Sequence, residues 1–212
     1  MSRHSIMEFR LASFLLLLPF FILAVVIHEV SHGWVALQLG DSTALTAGRL
    51  TLNPLKHIDL MGTILLPVLL LVLHSPFVFG WAKPVPINIL NLRHPKRDML
   101  WVGAAGPAAN FFLAVVGALL VRAGAPWMPP LLVGLLKYLV LINLILGTFN
   151  LLPIPPLDGS RVLAGLLPLS AARWLFALER WGIILVMGLL YFGVLDRILW
   201  PAVTFLAKVL GL

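Results

Sequence analysis

The 212-residue chain is 61% hydrophobic and only 11% charged, against roughly 25% charged residues in soluble domains. That excludes a water-soluble fold and points to an all-α, polytopic helical membrane protein built as one membrane-embedded domain over residues 1–212. There is no cysteine, so disulfides and thiolate ligands are excluded and any metal must be held by His, Asp or Glu. The formal net charge of +7 reads as basic residues gathered in cytoplasmic loops, not as a nucleic-acid surface.

A membrane helix needs roughly 20 mainly apolar residues. Four stretches come close: Leu11–Leu39, Leu60–Phe79, Met99–Val121 and Leu131–Leu152. The first follows Arg3 and Arg10 as a signal peptide would, but it runs straight on into polar residues of interest and is expected to stay. Leu60–Phe79 is interrupted by Gly62, Pro67, His74, Ser75 and Pro76, which suits a re-entrant hairpin. Trp81–Asp98, rich in Pro, Asn and basic residues, reads as an irregular surface loop, and Gly48–Leu52 as a short edge strand. Trp174–Leu212 is apolar but broken at Asp196-Arg197 and Pro201, giving four to six apolar segments in all. The seven tryptophans read as interfacial anchors.

Within the first stretch stands His28-Glu29-Val30-Ser31-His32. On a helix, H-E-x-x-H sets two imidazoles one turn apart on one face with a glutamate beside them. That is the pattern of a catalytic zinc site in which the glutamate is the general base. Ionisable groups at membrane depth are costly and mark function by default. Zinc in a catalytic site takes three protein ligands, and the remaining acidic residues are few: Glu8, Asp41, Asp59, Asp98, Glu179 and Asp196 fall in loops or at breaks. Asp158 alone abuts the end of a long apolar helix, after a run with three prolines and before Gly159. The prolines end the helix, and Gly159 is expected to supply an unusual φ beside the carboxylate.

For Asp158 to reach His28 and His32, the first and fourth stretches must run parallel, so one of the two between them does not cross. With the N-terminus outside and Leu60–Phe79 re-entrant, Arg49, Lys56, Lys83, Arg93, Lys96, Arg97, Arg161, Arg173 and Arg180 lie inside, and Arg3, Arg10 and Arg122 outside. The positive-inside rule favours that orientation, with the site near the cytoplasmic face of the cell membrane.

His28-Glu29-x-x-His32, then Ala105-Gly106-Pro107-Ala108-Ala109-Asn110, then Asn150-x-x-Pro153-x-Pro155-x-Leu157-Asp158-Gly159, together resemble the site-2 protease family of intramembrane zinc metalloproteases. The resemblance extends over about Leu11–Arg161 and is to the compact prokaryotic type without PDZ-like or CBS-like portions. It implies one zinc ion per chain held by His28, His32 and Asp158, water activated by Glu29, and Asn150 as a polar contact to substrate or oxyanion. It implies a transmembrane protein or peptide as substrate, within the lipid bilayer. A membrane metal transporter or sensor using the same His/Asp set is the alternative. Elsewhere the residue types read more plainly: Asn110 and Asn143 as interhelical hydrogen-bond partners, Gly103 and Gly106 as close-packing positions, and His57 and His74 as structural.

Overall fold

The computed structural model describes residues 3–72 and 80–212, and among them it contains helices and irregular segments but no strand. In chain order α1 spans Arg3–Gln38 and α2 Thr43–Thr46. A 3-10 turn at Pro54–His57 precedes a π-helical turn, Leu60–Leu65, which continues as α3, Leu66–Val72. A further 3-10 turn, Ile89–Asn91, leads to α4, Pro95–Gly124, and α5, Pro130–Asn150. The remainder is short: α6 Asp158–Leu166, α7 Leu169–Glu179, α8 Gly182–Tyr191 and α9 Val194–Val209.

Among the described residues, three helical segments are long and apolar enough to cross a bilayer: Leu15–Gln38, Pro95–Gly124 and Pro130–Asn150. They correspond to the first, third and fourth apolar stretches. α7 and α8, bent by 74° at their junction, make a fourth span if taken together. All seven tryptophans are exposed, as anchors at a membrane interface would be.

Helix directions follow from which residues meet. His28 of α1 touches Asn110 of α4, and His32, one turn on, touches Val102, so α1 and α4 run antiparallel. Asn110 also meets Asn143, while a methyl on Gly117 would lie 2.8 Å from Val140, so α4 and α5 are antiparallel too. α1 and α5 are therefore parallel with one span between them, as the parity of the site demands. The described part of the second stretch, Leu60–Val72, is about 20 Å long at 1.5 Å per residue, short of the ~30 Å hydrocarbon thickness. Trp81 N–H donates to the Gly62 carbonyl (3.1 Å) and Thr63 Oγ1 to the Trp81 carbonyl (2.8 Å). The chain is thus back at Trp81 where it left at Gly62, and the excursion between them does not carry it across. His74, Ser75 and Pro76 lie outside the described residues.

Two expectations about the segments between α1 and α4 are corrected. Gly48–Leu52 is not a strand: the neighbouring irregular segment, 80–88, meets it through a side chain, Arg49 Nη2 donating to the Lys83 carbonyl at 2.8 Å, with no backbone ladder. The loop that begins at Trp81 ends at Pro95, not Asp98. Proline suits the first turn of a helix, and Asp98 folds back to accept from His94 N–H at 2.7 Å, so it belongs to α4. The irregular region is pinned to the end of α1 by the buried carboxylate of Asp41. It accepts from Thr43 N–H (3.0 Å) and Thr43 Oγ1, Asn88 N–H (2.7 Å) and Asn91 Nδ2 (3.0 Å). Burial pushes this carboxyl up, but the bonds outweigh it and hold it below the usual carboxylate range.

The packed core lies between α4, α5 and α9, where Ala114, Ala118, Val140, Leu144, Leu199 and Val203 are buried together. Small residues on α4 let two backbones approach. After α5 the Pro153–Pro156 run turns the chain so that α6 begins at Asp158. Gly159 is required here for space. Its φ is not positive, but a methyl would lie 2.1 Å from the Leu151 carbonyl oxygen. The unusual φ expected beside Asp158 is absent because α6 starts directly with helical backbone.

Candidate metal centre

α1 and the start of α6 bring His28, His32 and Asp158 together, all three buried. Asp158 Oδ2 is 3.0 Å from His28 Nε2 and 3.1 Å from His32 Nε2, and the two nitrogens are 3.0 Å apart. Among the described residues no other group of three or more His, Asp or Glu side chains is arranged to hold a metal. His57 is structural, as its residue type suggested: it donates from Nε2 to the Thr51 carbonyl at 2.9 Å, tying a loop.

The protons on these rings are decided by their partners. His32 Nδ1 lies 2.6 Å from the Val102 carbonyl, which can only accept, so Nδ1 carries the hydrogen. His28 Nδ1 lies 2.6 Å from Asn110 Oδ1. The amide of Asn110 cannot be turned the other way, because its Nδ2 donates to the Ala24 carbonyl (3.2 Å) and to Asn143 Oδ1 (2.8 Å), while Asn143 Nδ2 donates to the Leu139 carbonyl (2.8 Å). His28 Nδ1 therefore also carries its hydrogen. In the neutral rings both Nε2 atoms are then lone pairs, and they face a carboxylate oxygen. Three such acceptors within 3.1 Å of one another repel unless a proton or a metal ion sits among them. Donors at ~2.0–2.1 Å from a tetrahedral zinc would stand about 3.3 Å apart, close to the observed triangle. Imidazole Nδ1–H groups held by a carbonyl and an amide are the usual outer support of ligating histidines. The donor set fits zinc.

Glu29, on the same turn of α1, is half-buried and accepts from Val85 N–H at 2.8 Å through Oε2. Val85 stands between Pro84 and Pro86, so it supplies the one N–H of that three-residue run. A cavity of about 370 Å³ is lined by Glu29, the three donors, Pro84, Val85, Asn150, Arg161 and Glu179. Asn150 thus reaches the cavity, its Nδ2 donating to the Leu146 carbonyl at 3.0 Å.

Four contributing residues were not assigned to the site from sequence. Gly106, read as a packing position, lies against the donor atoms: a methyl there would be 2.4 Å from His32 Nε2 and 2.6 Å from His28 Nε2. Asn110 and Asn143 do join helices, but they also fix the His28 tautomer. The Val85 N–H on Glu29 had its signal in the proline spacing, though nothing in the chain order says which carboxylate it meets.

A family model, Peptidase family M50, matches residues 127–191. The putative zinc metalloprotease YwhC of Bacillus subtilis is 35% identical over 196 residues, covering 87% of this chain and 86% of its own. This chain belongs to the site-2 protease family, peptidase family M50. The putative zinc metalloprotease Rip2 of Mycolicibacterium smegmatis is 35% identical over 190 residues, covering 87% of this chain and 70% of its own. The zinc metalloprotease MJ0392 of Methanocaldococcus jannaschii is 27% identical over 150 residues, or 68% of this chain and 32% of its own. No solved structure matches. As a member of M50 the chain is a metalloprotease with zinc as its cofactor, and its apolar helices make it a multi-pass membrane protein.

Proposed function

We propose that this M50 metalloprotease is an intramembrane endopeptidase, one domain that cuts transmembrane segments of membrane-protein substrates near the cytoplasmic face of the cell membrane. What carries the reading is the meeting of three potential ligand atoms, from His28, His32 and Asp158, with Glu29 in one cavity toward the end of a membrane-spanning helix.

His28, His32 and Asp158 are the zinc ligands in this reading. The ion, when bound, supplies Lewis acidity toward the scissile carbonyl and lowers the pKa of water at the site. Glu29 Oε takes the proton from the attacking water and returns it to the leaving amine nitrogen. Its bond from Val85 N–H holds the carboxylate toward the cavity. Asn150, whose side chain lines the cavity, contacts the substrate backbone or the oxygen on which negative charge develops. The substrate enters extended, because a peptide bond in a helix is already hydrogen-bonded and shielded. Charged Glu29, Arg161 and Glu179 along the cavity wall keep water at the site.

Glu29→Gln tests this against metal transport through the same three donors. The purified variant should keep its zinc while cleavage of a model transmembrane peptide falls by at least about 100-fold. A variant that cleaves normally would remove Glu29 as the base; one in which the wild type moves zinc across liposomes and cuts nothing would establish the transporter. The orientation is tested by labelling an N-terminal tag, expected from outside the cell and contradicted by labelling from inside only.

A further inference from the structure

In the reading above Arg161 only helps to keep the cavity wet, yet it stands one helical turn after Asp158 and in the same cavity. Its guanidinium lies between two carboxylates from different helices. Nη1 is 3.8 Å from Asp158 Oδ1, and Nη2 is 3.6 Å from Glu179 Oε1 on α7. Asp158 thus has a divided arrangement: Oδ2 faces the two imidazoles, and Oδ1 faces the arginine. The stem of Arg161 is fixed as well. A methyl on Gly103 of α4 would lie 3.1 Å from Arg161 Cβ and 3.1 Å from the Asp158 carbonyl oxygen, so α6 rests on α4 at this turn.

A carboxylate free to rotate can offer an ion either oxygen or both. A cation on one oxygen removes that freedom and leaves the other as the ligand. A lone guanidinium a few ångströms from a divalent ion would also repel it, and Glu179 offsets that charge. We infer that Arg161 is a positioning residue of the metal centre: it holds Asp158 Oδ1 so that Oδ2 alone faces the metal, and Glu179 keeps the guanidinium in place and offsets its charge. The inference rests on the assignment of His28, His32 and Asp158 as zinc ligands.

The test is the zinc affinity of the full chain in detergent, by competition with a chromophoric chelator, with the cobalt(II) absorption spectrum as a signature of coordination. Arg161→Met should weaken zinc binding by about 10- to 100-fold and alter the cobalt spectrum, with helical content unchanged. Arg161→Lys keeps the charge and should recover part of the loss. Glu179→Gln, at a more exposed position, should weaken binding by about two- to fivefold. Excess zinc should restore most of the cleavage by Arg161→Met. Wild-type zinc affinity in both Arg161→Met and Glu179→Gln would overturn the inference. So would normal zinc binding with poor cleavage in Arg161→Met, which would place the guanidinium on the substrate. Failure of the underlying assignment looks different: His32→Ala and Asp158→Ala would then bind zinc like the wild type, and the role of Arg161 would fall with them.

Discussion

α4 and α5 pack along their length, and the two halves of that interface are built to opposite rules. Toward one end, from one helical turn beyond the asparagine pair, Ala114, Ala118 and Val140 meet α9 in an apolar core. Toward the other, Asn110 and Asn143 are fully buried, and each donates from its amide. Between apolar helices in lipid there is little hydrophobic gain in burying an asparagine, so a buried pair must be satisfied by hydrogen bonds or it destabilises. Here the polar half continues into His28, and its last bond sets which ring nitrogen is free for a metal. The same two helices provide stability at one end and a tautomer at the other.

Substitutions in the two halves should therefore separate zinc from fold. The largest effect on zinc is expected from Gly106→Ala, since its methyl would displace both imidazoles: zinc affinity should fall by more than about 100-fold, beyond the usual outer-shell loss, with helical content retained. A variant that binds zinc normally would mean the rings have room the structure does not give them. Next comes Asn110→Ala, which frees the His28 ring and strands Asn143; chelator competition should read a loss of about 10- to 100-fold, with stability lower by ~1–3 kcal/mol. In the apolar half, Val140→Ala should behave conversely, costing about 2 kcal/mol in thermal unfolding with zinc affinity unchanged. Loss of zinc there would show that the halves are coupled.

The smallest effect on the site is expected at Asp41, outside the spans. Its carboxyl is held below the usual range in the folded state, so its contribution is complete above the unfolded value near 3.8 and fades as pH falls through the lower folded value. Asp41→Asn should lower the melting temperature at pH 7, by an amount equivalent to about 1–3 kcal/mol, and the gap from wild type should shrink in acid. A gap that widens in acid would contradict the bonding described for Asp41.

Much of this was legible in the chain. Apolar length revealed the spans, because bilayer thickness leaves few alternatives, and their parity required one stretch to turn back; the bond between Trp81 and Gly62 agrees with that. The H-E-x-x-H spacing and the proline-broken approach to Asp158 marked residues whose cost at membrane depth needs a reason. What could not be read was who meets whom across 33 or 82 residues of separation, as Asn110 does with Asn143 and with His28. Gly159 carried the wrong explanation for a related cause. A sequence shows that a side chain is missing, but only the packed neighbours show whether φ or space requires it.

The most direct test of the central claim is the zinc content of the purified protein, measured with peptide cleavage on the same samples. Wild type should hold one zinc per chain and cut. Asp158→Ala should hold essentially none and not cut. If Asp158→Ala keeps a full complement of zinc and cleaves at the wild-type rate, the three-donor centre described for His28, His32 and Asp158 is wrong.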